Sequence, residues 1–179
     1  LSLRRQRQMC IRDRYAATGH KGKGALYMSR DGGFNWKSEK KVNPSAFQEK
    51  YKITNLFALL SLNYAILSIL CDDNGSDYVW VGTDGGGIYY ATDGSSFDIE
   101  NKKGQGIDNV SIREIVKLPG TNGASAVLFA ATNNGVCKST NGGKNWIPFG
   151  SFPRDNITCI AIHPNGNYIY AGTVEAGVW

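Results

Sequence analysis

The sequence predicts an all-β fold: part of a β-propeller of four-stranded antiparallel blades, two of them complete and two partial within 179 residues. Three observations predict it. A phrase of apolar residues running into Gly-Thr or Ala-Thr, then a polar gap, then Gly and a second apolar run, starts at Tyr15, Val79, Leu128 and Ile169. The threonines that mark it, Thr18, Thr83, Thr132 and Thr173, are 65, 49 and 41 positions apart, and the last two steps match the roughly 40 to 50 residues of a propeller blade. Between the marks, short β-rich runs alternate with Gly, Asn and Asp clusters and no helical period intervenes.

The elements follow in order, with the strands of a blade lettered A to D. In the second copy, Ile66 to Cys71 is an apolar A strand, DDNGSD (Asp72 to Asp77) a polar turn, and Tyr78 to Thr83 the B strand. Asp84 to Gly86 then turns, Ile88 to Thr92 is the C strand, Asp93 to Ser96 turns again, and Phe97 to Glu100 is the D strand. The third copy repeats this with Ile112 to Leu118, Val127 to Thr132, Val136 to Ser139 and Trp146 to Phe149. The last copy supplies Ile157 to Ile162 and Ile169 to Thr173 and stops on entering its C strand, while the first begins at its B strand. A propeller hides its sheet edges by closing, typically with 4 to 8 blades, so the chain is expected to belong to a longer protein whose remaining blades lie outside it. On its own it should expose edges and tend to aggregate.

Residues 1–14 are set apart as a non-native segment, because Arg4 to Arg14 (RRQRQMCIRDR) resembles an in-frame translation of a transposase-type sequencing adaptor. The propeller domain is read as 15–179. Setting aside the five arginines and one aspartate of that stretch lowers the net charge from +5 to +1, which removes the basicity that would have suggested nucleic acid. Cys71, Cys137 and Cys159 remain, with no CxxC or Cys/His spacing, so no metal site, disulfide framework or cofactor is expected. Cys71 and Cys159 sit in apolar runs and are expected to be small buried hydrophobes. The spacing Asp72, Asn74, Ser76 starts like a calcium loop, but Asp77 and Thr83 stand where Gly and Glu are needed. Leu56 to Leu70 is apolar over 15 residues, short of the roughly 20 that span a bilayer, and is read as core.

The C–D turns share a pattern. Ser29, Asp31, Gly33 and Trp36 fit S-x-D-x-G-x-x-W in full; Ser139, Asn141, Gly143 and Trp146 fit with Asn for Asp; Asp93, Gly94 and Phe97 give a shorter version with Phe for Trp. This resembles the Asp-box, or BNR, repeat of sialidase-type propellers, sortilins, xyloglucanases and the photosystem II assembly factor group. The box is structural chemistry: an Asp or Asn oxygen accepts backbone N–H groups across its own turn, Gly takes positive φ, and the aromatic is expected to bury itself beside the next blade. The resemblance implies a fold, and a secreted, periplasmic or cell-envelope setting, without fixing an activity.

Turns alternate ends in such a blade, which puts A–B and C–D turns on one face and B–C and D–A connections on the other. The second face is the candidate working face. It receives His20, Lys21 and Lys23 in the loop GHKGK, Asp84, Asn133 and Asn134, and Glu175. It also receives an insertion at about 37–65: Trp36 to Ile69 is 33 positions, against 14 from Trp146 to Ile160.

Asp84 is the candidate catalytic residue. TDGGGIYY (Thr83 to Tyr90) is similar to the segment bearing a catalytic aspartate in xyloglucanase-type propellers, and inverting hydrolysis would need a second carboxylate roughly 6.5 to 9.5 Å away. Glu175 lies in the matching loop two blades on. A sialidase would need an arginine triad, whereas only Arg30, Arg113 and Arg154 lie outside the adaptor-like stretch, and Arg30 sits on the box face. His163 falls in an A–B turn. The reading is therefore a non-catalytic binding or scaffold propeller of a bacterial secreted or envelope protein that takes a protein or glycan partner on its loop face. The alternatives are a glycoside hydrolase of xyloglucanase type and, from VWVGTDGG, the sensor propeller of a two-component regulator. No nucleic-acid partner is expected.

Overall fold

The computed structural model describes residues 14–18, 25–29, 64–72, 76–92, 104–151 and 156–179. Among the described residues, eleven strands form antiparallel sheets. β1 (Arg14–Thr18) pairs with β2 (Ala25–Ser29), from Arg14 against Ser29 to Thr18 against Ala25. β3 (Ile66–Cys71), β4 (Val79–Thr83) and β5 (Ile88–Ala91) make a meander. β6 (Ile112–Lys117), β7 (Leu128–Thr132), β8 (Gly135–Ser139) and β9 (Ile147–Pro148) make a four-stranded blade, with a single 3-10 turn at Gly123–Ser125 between its first two strands. β10 (Ile157–Ile162) and β11 (Ile169–Thr173) form the last hairpin. There the chain goes on to bridge Gly172 with Val178 and to exchange backbone bonds between Ala171 and Trp179, the first pairs of a C strand.

The expected strands match within one or two residues at their ends. Several expectations fall outside the described residues: the D strand Phe97 to Glu100, the boxes containing Asp31, Gly33, Trp36, Asp93, Gly94 and Phe97, the loop with His20, Lys21 and Lys23, and the insertion up to residue 63. Ser29 ends β2.

The sheets follow one another radially. The A strands β3, β6 and β10 lie side by side, and each B strand, β1, β4 and β7, touches the A strand of the following blade. The core consequently lies between blades, in two clusters. Leu70, Trp80, Ile88, Ile112, Ile115, Leu128 and Trp146 fill the first junction; Phe129, Ala131, Val136, Ile157, Ile160 and Ala171 fill the second. Middle strands have neighbours on both faces, which is why VWVGT and LFAAT read as continuous runs and are buried throughout. On β11 the same positions are open: Trp80 is 0% and Phe129 3% exposed, but Tyr170 is 46% exposed. Tyr168, Val178 and Trp179 are exposed beside it.

The turn at Ser139 to Trp146 has the internal bonding its sequence implies. Asn141 Oδ1 accepts the Ser139 hydroxyl at 3.0 Å and the Asn145 N–H at 2.9 Å, and Ser139 Oγ accepts the Gly143 N–H at 3.0 Å. Gly143 stands at φ 87°, where a Cβ would also lie 2.8 Å from Trp80 Nε1. Trp146 departs from expectation. Its ring buries itself against the preceding blade, donating Nε1–H to Gly143 O at 2.9 Å and lying on the Gly104–Gly106 linker, because the turn leans back over Trp80. Cys159 departs too: Cys71 is buried, whereas Cys159 is exposed. A β-bulge in each described A strand, between Ile66 and Ser68, Ile112 and Glu114, and Ile157 and Cys159, shifts the alternation after the second residue and turns the third toward the following sheet; Ser68 is covered there by β6, whereas none of the described strands covers Cys159.

The third residue of each A strand thus faces the next blade. Ser68 Oγ accepts the Ile115 N–H at 3.1 Å, and Glu114 Oε2 accepts the Ile160 N–H at 2.9 Å. Cys159 holds that position in the last hairpin.

Candidate functional site

The B–C loops are built by the marker threonines. Thr83, Thr132 and Thr173 donate their hydroxyls to the carbonyls of Gly87 (2.8 Å), Gly135 (2.8 Å) and Gly177 (3.0 Å), closing loops of slightly different length. This accounts for the Gly-Thr and Ala-Thr signature: the hydroxyl adds a second bond to a glycine carbonyl that, at Gly87 and Gly177, already accepts the threonine's own N–H (3.1 and 2.9 Å), and so pins the two ends of the tight turn together. The next residue then ties the loop to the start of its own A strand. Asp84 N–H donates to Ala65 O at 2.8 Å, Asn133 N–H to Ser111 O at 3.2 Å, and Val174 N–H to Asn156 O at 3.1 Å. B–C loops and D–A connections therefore share one face, as Gly87 N–H to Val110 O at 3.2 Å also requires. The A–B and C–D turns meet at the other, where Gly142 N–H donates to Ala126 O at 3.1 Å.

Ser111 joins two of the predicted site residues. Its hydroxyl donates to Asp84 Oδ1 at 2.6 Å and its N–H to Asn133 Oδ1 at 3.0 Å, so Asp84 and Asn133, from neighbouring blades, converge on it. Asn134 is exposed and its N–H is taken by Thr132 Oγ1 at 2.9 Å. Glu175 is exposed on the loop of the last hairpin. Beside Asp84 lies Tyr64, whose ring packs over the Gly85–Gly86 turn so closely that a Cβ on Gly86 would stand 2.5 Å from Tyr64 Cδ2. Farther along the rim, Arg113 Nε donates to Asn156 Oδ1 at 2.9 Å.

Ser111, Tyr64 and Asn156 are functional-face residues that motif reading passed over. Ser111 and Asn156 each precede an apolar A strand, aligned with Ala65, so a register alignment of the copies could have found both; Tyr64 had no such signal.

The catalytic inventory elsewhere is small. His163 belongs to its hairpin turn, with Nδ1 accepting the Asn165 N–H at 3.3 Å and its ring edge-on to Tyr168. Burial pushes the Cys137 thiol up, away from thiolate chemistry. Among the described residues no three His, Cys, Asp or Glu side chains stand together as metal ligands. Asp72, the head of the calcium-like spacing, is buried and accepts from Lys117 Nζ at 2.6 Å and from the Gly123 N–H at 2.6 Å.

Against known proteins, no family model matches the chain and no curated protein sequence matches it. Solved structures do. The GH74 enzyme of Niastella koreensis superposes with a TM-score of 0.58 at 16% identity, over 90% of this chain and 24% of that one. The extracellular domain of BT4673, assigned to a one component system of B. thetaiotaomicron, superposes with a TM-score of 0.58 at 17% identity, over 96% of this chain and 20% of that one. The chain therefore has β-propeller architecture and spans between a fifth and a quarter of the length of these structures. Among the described residues no helix is long and apolar enough to cross a membrane.

Proposed function

We propose that this chain is part of a non-catalytic binding propeller of a secreted or cell-envelope protein, with the Ser139 to Trp146 turn as an Asp-box and the B–C loop face as a glycan-binding surface. The observation that carries the reading is the side-by-side placement of the Tyr64 ring and the Asp84, Ser111 and Asn133 polar cluster. Carbohydrate faces need that combination, an apolar ring against which a sugar's C–H face packs and fixed polar groups for its hydroxyls. The extracellular setting of the BT4673 domain and the fold shared with a GH74 enzyme agree with it.

Hydrolysis is the second reading, favoured by the TDGGGIYY segment and by the position of Asp84 on this face. It is the weaker one because Asp84 Oδ1 already receives the Ser111 hydroxyl, which commits that oxygen to joining two blades. One experiment separates them: pull-down of the chain on insoluble plant and bacterial polysaccharides, with reducing-sugar release measured on the same samples. Retention without release, lost in Tyr64→Ala, is the expected result. Release that disappears in Asp84→Asn would establish the hydrolase, and absence of retention on every polysaccharide would overturn the glycan reading.

A further inference from the structure

Arg113 stands out on this face. It is the second residue of β6, the bulged position that Leu67 holds in β3 and Thr158 in β10. A bulge releases its residue from the ladder and re-aims the side chain, and bulges concentrate at binding rims for that reason. The half-buried guanidinium is oriented by one bond, Nε–H to Asn156 Oδ1 at 2.9 Å. Among the described residues no carboxylate lies within 4.0 Å of it; the ion pair there is Lys117 with Asp72, at the other end of the same strand. With Nε spent on orientation, Nη1 and Nη2 form a planar fork held in place and without a hydrogen-bond partner among the described residues.

We infer that Arg113 is an anion-recognising subsite of the glycan face and that the ligand carries a carboxylate, as a uronic-acid oligosaccharide does. This rests on the glycan reading above and adds the substrate class. Three features point to a carboxylate. The guanidinium fork matches it bidentately, and a group oriented beforehand loses less freedom on binding. Asn133 and Asn134 present exposed amides on the same rim, suited to the neutral hydroxyls of the same sugar chain. Asp84 is directed to Ser111 between the β3–β5 and β6–β9 sheets, whereas Arg113 is directed the other way, to Asn156 ahead of β10. Glu175 is the internal competitor: its loop is tied to Asn156 through Val174, and it is exposed.

The test is calorimetric titration of the whole chain with tetragalacturonate and, separately, with cellotetraose, at low and at high salt. Tetragalacturonate should bind more tightly and lose affinity with salt. Arg113→Gln should weaken it by about tenfold or more, the scale of a charge-assisted pair, and leave cellotetraose unchanged. Arg113→Lys should recover only part of that loss, and Glu175→Gln should tighten tetragalacturonate by removing a like charge. Near-ultraviolet circular dichroism of the buried Trp80 and Trp146 verifies that each variant is folded. Equal affinity for the two oligosaccharides, or salt-independent binding of the acidic one by the unaltered chain, would overturn the inference and leave the glycan reading standing. Binding of neither, with polysaccharide retention also absent, would overturn both.

Discussion

The junction between the β3–β5 and β6–β9 sheets and the junction between β6–β9 and β10–β11 are made from the same repeat and are held differently. At the first, Trp80 is wholly buried and donates Nε1–H to Gly142 O at 2.8 Å; at the second its counterpart is Phe129, which packs edge-on to Phe149 at 5.0 Å beneath the Lys138 ammonium. The residue after the A strand and the last residue of the next A strand are Asp72 and Lys117 at the first junction, a buried ion pair at 2.6 Å. At the second junction the same two positions are Leu118 and Ile162, two half-buried aliphatic side chains packed against the core cluster there. Backbone-directed bonds recur at both, from Ile115 N–H to Ser68 and from Ile160 N–H to Glu114. The repeat thus dictates which positions face a neighbouring blade and leaves the chemistry there open, since a charge pair with satisfied hydrogen bonds and aliphatic side chains can occupy the same place.

Four perturbations sharpen that comparison. Trp80→Ala should have the largest effect, about 3 to 5 kcal/mol, because a large buried side chain is removed and the Gly142 carbonyl loses its donor. The urea midpoint of the chain would report it, and a shift no larger than that of Tyr170→Ala, the equivalent position left exposed on β11, would break the claim that packing between blades is what gives this position its weight. Asp72→Asn should cost about 3 kcal/mol by leaving the Lys117 charge buried without its counter-ion, while Asp72→Leu combined with Lys117→Ile, which copies the second junction, should return most of it. A double variant as unstable as the single one would mean that the two junctions are not interchangeable.

Acid comes next. Burial raises the Asp72 pKa, but bonds from Lys117, Ser76 and the Gly123 amide together with the Lys117 charge outweigh it, so the carboxyl titrates below its ordinary 3.8. A depressed folded-state value means the contribution is fully present above the unfolded-state pKa and is lost as pH falls through the folded one. Stability should therefore decline below about pH 4, and the double apolar variant should decline less. Trp80→Phe is the smallest change, about 1 kcal/mol, since it keeps the ring and deletes one buried hydrogen bond. It converts the first junction to the second's chemistry.

Much of this was legible beforehand, and for local reasons. Four-residue turns, the glycines that enter left-handed backbone and the threonine that caps each B–C loop act within a few positions of one another, so their pattern survives in the sequence at fixed spacing. The assignment of Asp84, Asn133, Asn134 and Glu175 to one face follows from strand alternation alone. Ser111 illustrates what was not legible: it lies 27 positions from Asp84, and its importance comes from bridging two blades. The apolar run around Cys159 reads as buried, but the bulge that turns it toward a following sheet depends on pairing with β11, and none of the described strands covers it there. Trp146 was assigned to the wrong neighbour for a similar reason, since a turn's sequence specifies its own bonds and not the direction in which it leans.

The sequence by itself determined the strand order, the turns and the four-fold recurrence, because these rest on interactions within one repeat. Only the tertiary structure decided what stands opposite what across a junction: Asp72 with Lys117, Trp80 with Gly142, Tyr64 over the Asp84 loop, and Arg113 held by Asn156. Those pairs are 20 to 62 residues apart. Their geometry arises when blades pack, and no period in the chain encodes it.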